Sequence, residues 1–79
     1  MRIDIKMSID RYAKEHCPTG NFLRLVLEND LMGAFGRADS DNLRDMFDIC
    51  NYIYNNIPST CHGSPAIVKA WLTQKNDNG

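Results

Sequence analysis

The sequence predicts an all-α fold, a compact single domain of four to five short helices, and three observations predict it. Apolar residues recur at spacings of three and four along 43–57, the period of one helix face. Pro58 stops that pattern, and Ser64-Pro65 starts another, with serine at the N-cap and proline at the first helical position. The 79 residues, 43% hydrophobic and 24% charged, suffice for one small globular core and not for two.

Residues 1–7 alternate apolar and charged groups, a pattern shared by short edge strands and loose tails, and they read as an ordered lead-in to a helix. Ser8 is the expected N-cap of that helix, with Ile9, Tyr12, Ala13 and His16 on one face. Cys17-Pro18 ends it, because the residue before proline is pushed out of the α region. The next element, opened by Thr19-Gly20-Asn21, carries Phe22, Leu23, Leu25, Val26 and Leu27 and is apolar nearly all round, as a central buried helix would be. Its leucines and helical neighbours favour helix over strand.

Asn29-Asp30 offers a break and a new cap before Leu31, Met32, Ala34 and Phe35. Gly33 and Gly36 weaken that short third helix by roughly 1 kcal/mol each relative to alanine. Asp39 or Ser40 caps the fourth helix, the expected spine, which runs from 40 to 57, with Asp41 complementing its positive end. Leu43, Met46, Phe47, Cys50, Ile53, Tyr54 and Ile57 form its expected buried stripe. The last helix presents Ile67, Val68, Trp71 and Leu72 on one face, Lys69 and Lys75 suit its C-terminal half, and 76–79 reads as a frayed tail. The expected core comprises Tyr12, Phe22, Val26, Leu27, Phe35, Leu43, Met46, Phe47, Cys50, Ile53, Ile67 and Trp71, with Trp71 locking the last helix against the spine.

A net charge of −1 argues against a general nucleic-acid binder. A helix-turn-helix built from 21–28 and 30–37 would have a second element that is short, twice interrupted by glycine and poor in basic groups. No apolar run approaches the ~20 residues that span a bilayer, and Arg2, Asp4 and Lys6 interrupt any leader-like stretch. Three cysteines then fit reduced thiols, and the expected location is the cytoplasm.

His16-Cys17, Cys61-His62 and Cys50 carry the ligand types zinc prefers, and a Cys/His metal site is the alternative reading of this chain. Against it, no C-x-x-C or H-x(3–5)-H spacing occurs. Cys61 and His62 are adjacent and project in different directions, which does not make a nucleophile pair. Asp39-Ser40-Asp41 lacks the glycine and glutamate of a calcium loop, Arg44 and Cys50 standing there instead. No catalytic, cofactor-binding or metal-ligating residue is therefore nominated.

Six acidic residues against two basic ones give 28–48 a balance of −4, while five basic against three acidic give 1–27 a balance of +2. The plain reading is a solvated helix face with capping charge. The functional reading is an anionic surface for a basic partner groove, and it nominates Asp41, Arg44, Asp45, Asp48 and Tyr52 as protein-binding residues.

Pro18-Thr19-Gly20 with Phe22-Leu23, Val26-Leu27, Asn29-Asp30-Leu31, Gly36-Arg37-Ala38-Asp39, Asn55 with Pro58, and Cys61-x-Gly63-Ser64-Pro65 before Trp71-Leu72 make a connected set over residues 9–73. In these motifs the chain resembles small uncharacterised helical accessory proteins of bacteriophages and integrated mobile elements. The resemblance implies a small accessory protein acting inside a bacterial host cell, of a kind that often binds and redirects host machinery; with no credible active site and the acidic 28–48 segment, the expected function is non-enzymatic binding of a host protein, an inhibitor of an antiviral defence complex being one form of it. It carries over no functional residues. A DNA-binding regulator is a further alternative, and pairing into a homodimer is left open.

Overall fold

Helix signals in the sequence become helices almost everywhere, and the departures are informative. The structure is a computed structural model describing residues 1–74. Its elements are α1 (Ile3–Glu15), α2 (Asn21–Leu27), α3 (Leu31–Arg37), α4 (Ser40–Arg44), α5 (Met46–Asn56), a 3-10 turn (Ser59–Cys61) and α6 (Pro65–Gln74), with no strand among the described residues. The all-α class stands. The radius of gyration of 11.9 Å matches the roughly 11.6 Å of a globular chain this long. Lys75 and the 76–79 tail lie outside the described residues.

The lead-in expected over 1–7 is instead the start of α1, whose N-cap position, Arg2, lies six residues ahead of Ser8. Ile5, Ile9 and Tyr12 fall at i, i+4 and i+7, and all three are buried, so one apolar face runs through the supposed boundary. Arg2 occupies the N-cap position with an extended backbone and no side-chain cap bond, so no cap residue advertises this start. His16 closes the helix in the left-handed region (φ 56°), its N–H bonded to the Tyr12 carbonyl at 3.0 Å.

Between α2 and α3 the chain makes a Schellman turn: the Asp30 N–H bonds the Leu25 carbonyl at 2.8 Å and the Asn29 N–H bonds that of Val26 at 3.0 Å. Asn29 takes the left-handed position (φ 64°), which asparagine tolerates. Asp30 and Asp39 then cap α3 and α4, accepting from the N–H groups of Gly33 at 3.0 Å and Asn42 at 2.8 Å. The expected 40–57 spine is interrupted at Asp45 (φ −95°, ψ 8°), which divides it into α4 and α5.

That interruption and the packing of α5 correct the expected core. Met46, Ile49, Ile53 and then Ile57 form the buried line, Ile49 being fully enclosed. Phe47 is 79% exposed, and Leu43, Tyr54 and, on α3, Phe35 are exposed as well. Helix α5 has two apolar lines on adjacent faces, and the expected stripe mixed them. Leu43 belongs to α4, where the neighbouring Asn42 points inward. Tyr12, Val26, Leu27, Met46 and Ile53 are buried as expected, while Phe22, Cys50, Ile67 and Trp71 are partly buried.

The segment 58–64 docks on both early helices. Tyr12 donates its hydroxyl to the Cys61 carbonyl at 2.7 Å, and the Gly63 N–H bonds the Leu27 carbonyl at 2.7 Å. Gly63 sits at φ 128°, a conformation L side chains rarely adopt. Ser64 accepts from the Ile67 N–H at 3.2 Å and caps α6 as expected. Trp71, expected on the spine, instead clasps α1. Its indole N–H bonds the Tyr12 carbonyl at 2.9 Å, His16 Nδ1 donates to the Trp71 carbonyl at 2.7 Å, and the two rings stack with centroids 4.1 Å apart.

Candidate functional site

The five residues nominated from sequence do not form one patch. Asp41, Arg44 and Asp45 meet at the α4–α5 junction, where Arg44 lies 3.4 Å from each carboxylate. Arg2 reaches Asp41 at 3.6 Å and Asp39 at 3.3 Å, and the Met1 ammonium lies 3.7 Å from the largely covered Asp45 carboxylate. These acids are thus largely answered within the chain. Tyr52 faces α1 instead, donating to Asp10 at 2.5 Å beneath Lys6, whose ammonium stands 5.6 Å from the ring centroid. That hydrogen bond raises the Tyr52 pKa and lowers that of Asp10. Asp48 stands exposed, and its carboxylate makes no hydrogen bond or ion pair with a described residue.

The cysteines and histidines are also dispersed. His16 is held by Trp71. Cys61 is fully buried and donates its thiol to the Pro58 carbonyl at 3.1 Å. Cys17 lies 3.9 Å from the Glu15 carbonyl. Among the described residues no group of three or more His, Cys, Asp or Glu side chains is placed to hold a metal ion.

Cys50 and His62 do come together, as walls of one open groove of about 300 Å³. Burial pushes the Cys50 thiol pKa up and the His62 imidazole pKa down, so each group favours its neutral form. A thiolate–imidazolium pair needs the opposite shifts. The rest of the groove is mainly apolar, with Val26, Leu31, Ile53 and Tyr54 contributing to it.

Helices α3 and α5, which both wall this groove, also carry exposed apolar side chains. On α5, Phe47, Cys50 and Tyr54 fall at i, i+3 and i+7 and share one face. On α3, Phe35 lies one turn beyond Leu31, with Met32 beside them. Met32 is 85% exposed and Tyr54 78%. Sequence reasoning placed Phe35, Phe47 and Tyr54 inside. The available signal was surplus: α5 carries more apolar side chains than one core-facing line accommodates.

The chain matches no protein-family model, no curated protein and no solved structure.

Proposed function

We propose that this protein is a non-enzymatic interaction domain whose apolar α3–α5 face docks protein. The observation that carries this reading is the exposure of large apolar side chains on the two helices that wall the groove. Taking ~200 Å² for a full aromatic side chain, Phe47 and Tyr54 expose about 300 Å² between them. Leu31, which lines the groove together with Tyr54, adds its exposed part, and Met32 and Phe35 leave further apolar side chain uncovered on α3. The neutral tendency of Cys50 and His62 supports reading the groove as a recognition feature rather than a nucleophile site.

Following the resemblance to phage and mobile-element proteins, the partner proposed is a protein of a bacterial host, and the action proposed is inhibition of a defence complex. The exposed Asp48 carboxylate, which has no partner among the described residues, suits a basic group on that partner. Affinity capture from a bacterial lysate tests the reading, with wild type run beside Phe47→Glu and Asp48→Lys. Wild type is expected to retain a discrete host protein that at least one variant loses while keeping its helical circular dichroism. Equal retention by all three would reject this surface.

A further inference from the structure

We infer that the groove walled by Val26, Leu31, Ile53 and Tyr54 receives one uncharged aromatic side chain, bearing an O–H or N–H, from the protein partner. The inference rests on reading α3 and α5 as a protein-docking region, and it names the chemistry of what enters the groove.

Charge is the first argument. No Asp, Glu, Lys or Arg lines the groove. Burial keeps the Cys50 thiol and the His62 imidazole, its two titrating walls besides Tyr54, in their neutral forms. The acids next to these walls in sequence are directed elsewhere. Glu28 holds Arg24 at 3.1 Å, and Asp30 accepts from the Gly33 N–H at 3.0 Å. Asp48 lies about 120° or more round α5 from Cys50, Ile53 and Tyr54. An ionised side chain entering here would shed water and meet no opposite charge, which is the costly kind of burial.

The walls also favour a ring. Tyr54 and His62 supply two rings, and Cys50 supplies a polarisable sulfur. Three polar side chains at the groove are uncommitted: Asn29, Tyr54 and His62 make no side-chain hydrogen bond with a described residue. The Asn29 carbonyl oxygen and the bare nitrogen of a neutral imidazole are acceptors for an O–H or N–H. An aliphatic side chain would leave them unanswered. Size points to an anchor carried by a larger molecule. At about 300 Å³ the open groove stands at the lower limit for enclosing a free ligand, and its Tyr54 wall is itself 78% exposed. A protein partner covers the open side with its own surface and seats one aromatic anchor beneath it.

Amide NMR spectra of the purified full chain, titrated with N-acetyl-L-tyrosinamide, test the inference. The amides of Val26, Asn29, Cys50, Ile53, His62 and Gly63 are expected to shift together, with a Kd of roughly 1–10 mM for an anchor detached from its chain. Analogues carrying a para-carboxylate or para-aminomethyl group in place of the hydroxyl are expected to bind about tenfold more weakly, and N-acetyl-L-leucinamide about threefold more weakly. Tyr54→Lys, in the last turn of α5 where a cation suits the helix dipole, is expected to keep its circular dichroism and to bind the carboxylate analogue more tightly than wild type does. Groove amides that stay unmoved overturn this occupant. So do equal affinities across the four compounds, or a folded Tyr54→Lys that gains nothing for the carboxylate. The parent reading fails on a different result, Phe47→Glu and Asp48→Lys each keeping every host protein that wild type captures. If either variant loses that protein while the tyrosinamide leaves the groove amides unmoved, the docking region stands and the aromatic anchor falls.

Discussion

Asp30 shows how closely single side chains are matched at the helix ends. Its carboxylate caps α3 by folding over Gly33, so closely that a Cβ there would lie 2.7 Å from Oδ2. Gly36, on the same helix, has nothing within 4 Å of a built Cβ. Gly36→Ala is therefore expected to stabilise the protein by about 0.5–1 kcal/mol, whereas Gly33→Ala gains the same propensity and loses the cap, giving no net increase. Thermal melts of the two variants check the contrast. Caps of this kind were legible in the sequence because they are local: Asp30, Asp39 and Ser64 each act within three residues.

Acid sensitivity also belongs to individual residues. His62 has a lowered pKa because burial disfavours the imidazolium. Above about pH 6.5 the ring is neutral folded or unfolded; below it the unfolded chain takes the proton first, so stability falls until the folded value is passed. Asp39 is held below 3.8 chiefly by the Asn42 N–H, so its contribution is full above that value and is lost as pH falls through the folded one. Melting temperature is expected to decline in two stages, and His62→Asn to remove its share of the first.

At the scale of elements, α5 poses the question the sequence left open. Met46–Ile49–Ile53 and Phe47–Cys50–Tyr54 are both helical lines, offset by one residue and so about 100° apart around the axis. Periodicity identifies each as apolar and says nothing of which one the neighbouring helices cover. Ile49→Ala is expected to cost about 2–4 kcal/mol, and Phe47→Ser less than about 0.5 kcal/mol, in urea melts at low protein concentration. Equal costs would place both lines inside. The α1 boundary was hidden for a related reason. Its first turn has no capping side chain, and the alternation of Ile3, Ile5 and Met7 with charges suits a strand, until Ile5, Ile9 and Tyr12 are seen to share a buried face. The candidate face was illegible because it consists of residues whose type says core and whose position says surface.

For the whole molecule, the ties between α1 and the last third of the chain decide stability. Tyr12→Phe removes the hydroxyl that satisfies the Cys61 carbonyl and is expected to cost about 1–2 kcal/mol. Burial raises the Tyr12 pKa well above its ordinary value of 10, so folding favours the protonated phenol. The unfolded chain ionises first, and stability is lost as pH climbs past 10, an alkaline limit that Tyr12→Phe relaxes. Trp71→Ala removes both the indole bond and the His16 stack, and about 3 kcal/mol is expected in the same denaturation assay.

The clasp of Trp71 on α1 bears on how the protein is made. Its two polar ties, and the Tyr12–Cys61 bond beside them, join residues 55, 59 and 49 positions apart, long spans for a helical domain and slow to close. On the ribosome α1 emerges before the loop and α6, as a helix of 13 residues that is marginal alone in water. Tyr12 and His16 then wait for the loop and α6 to be translated before those bonds can form. Helix α1 is thus made well before the segments that secure it, and a nascent chain stalled before residue 61 would display the apolar line of α1 to chaperones and proteases.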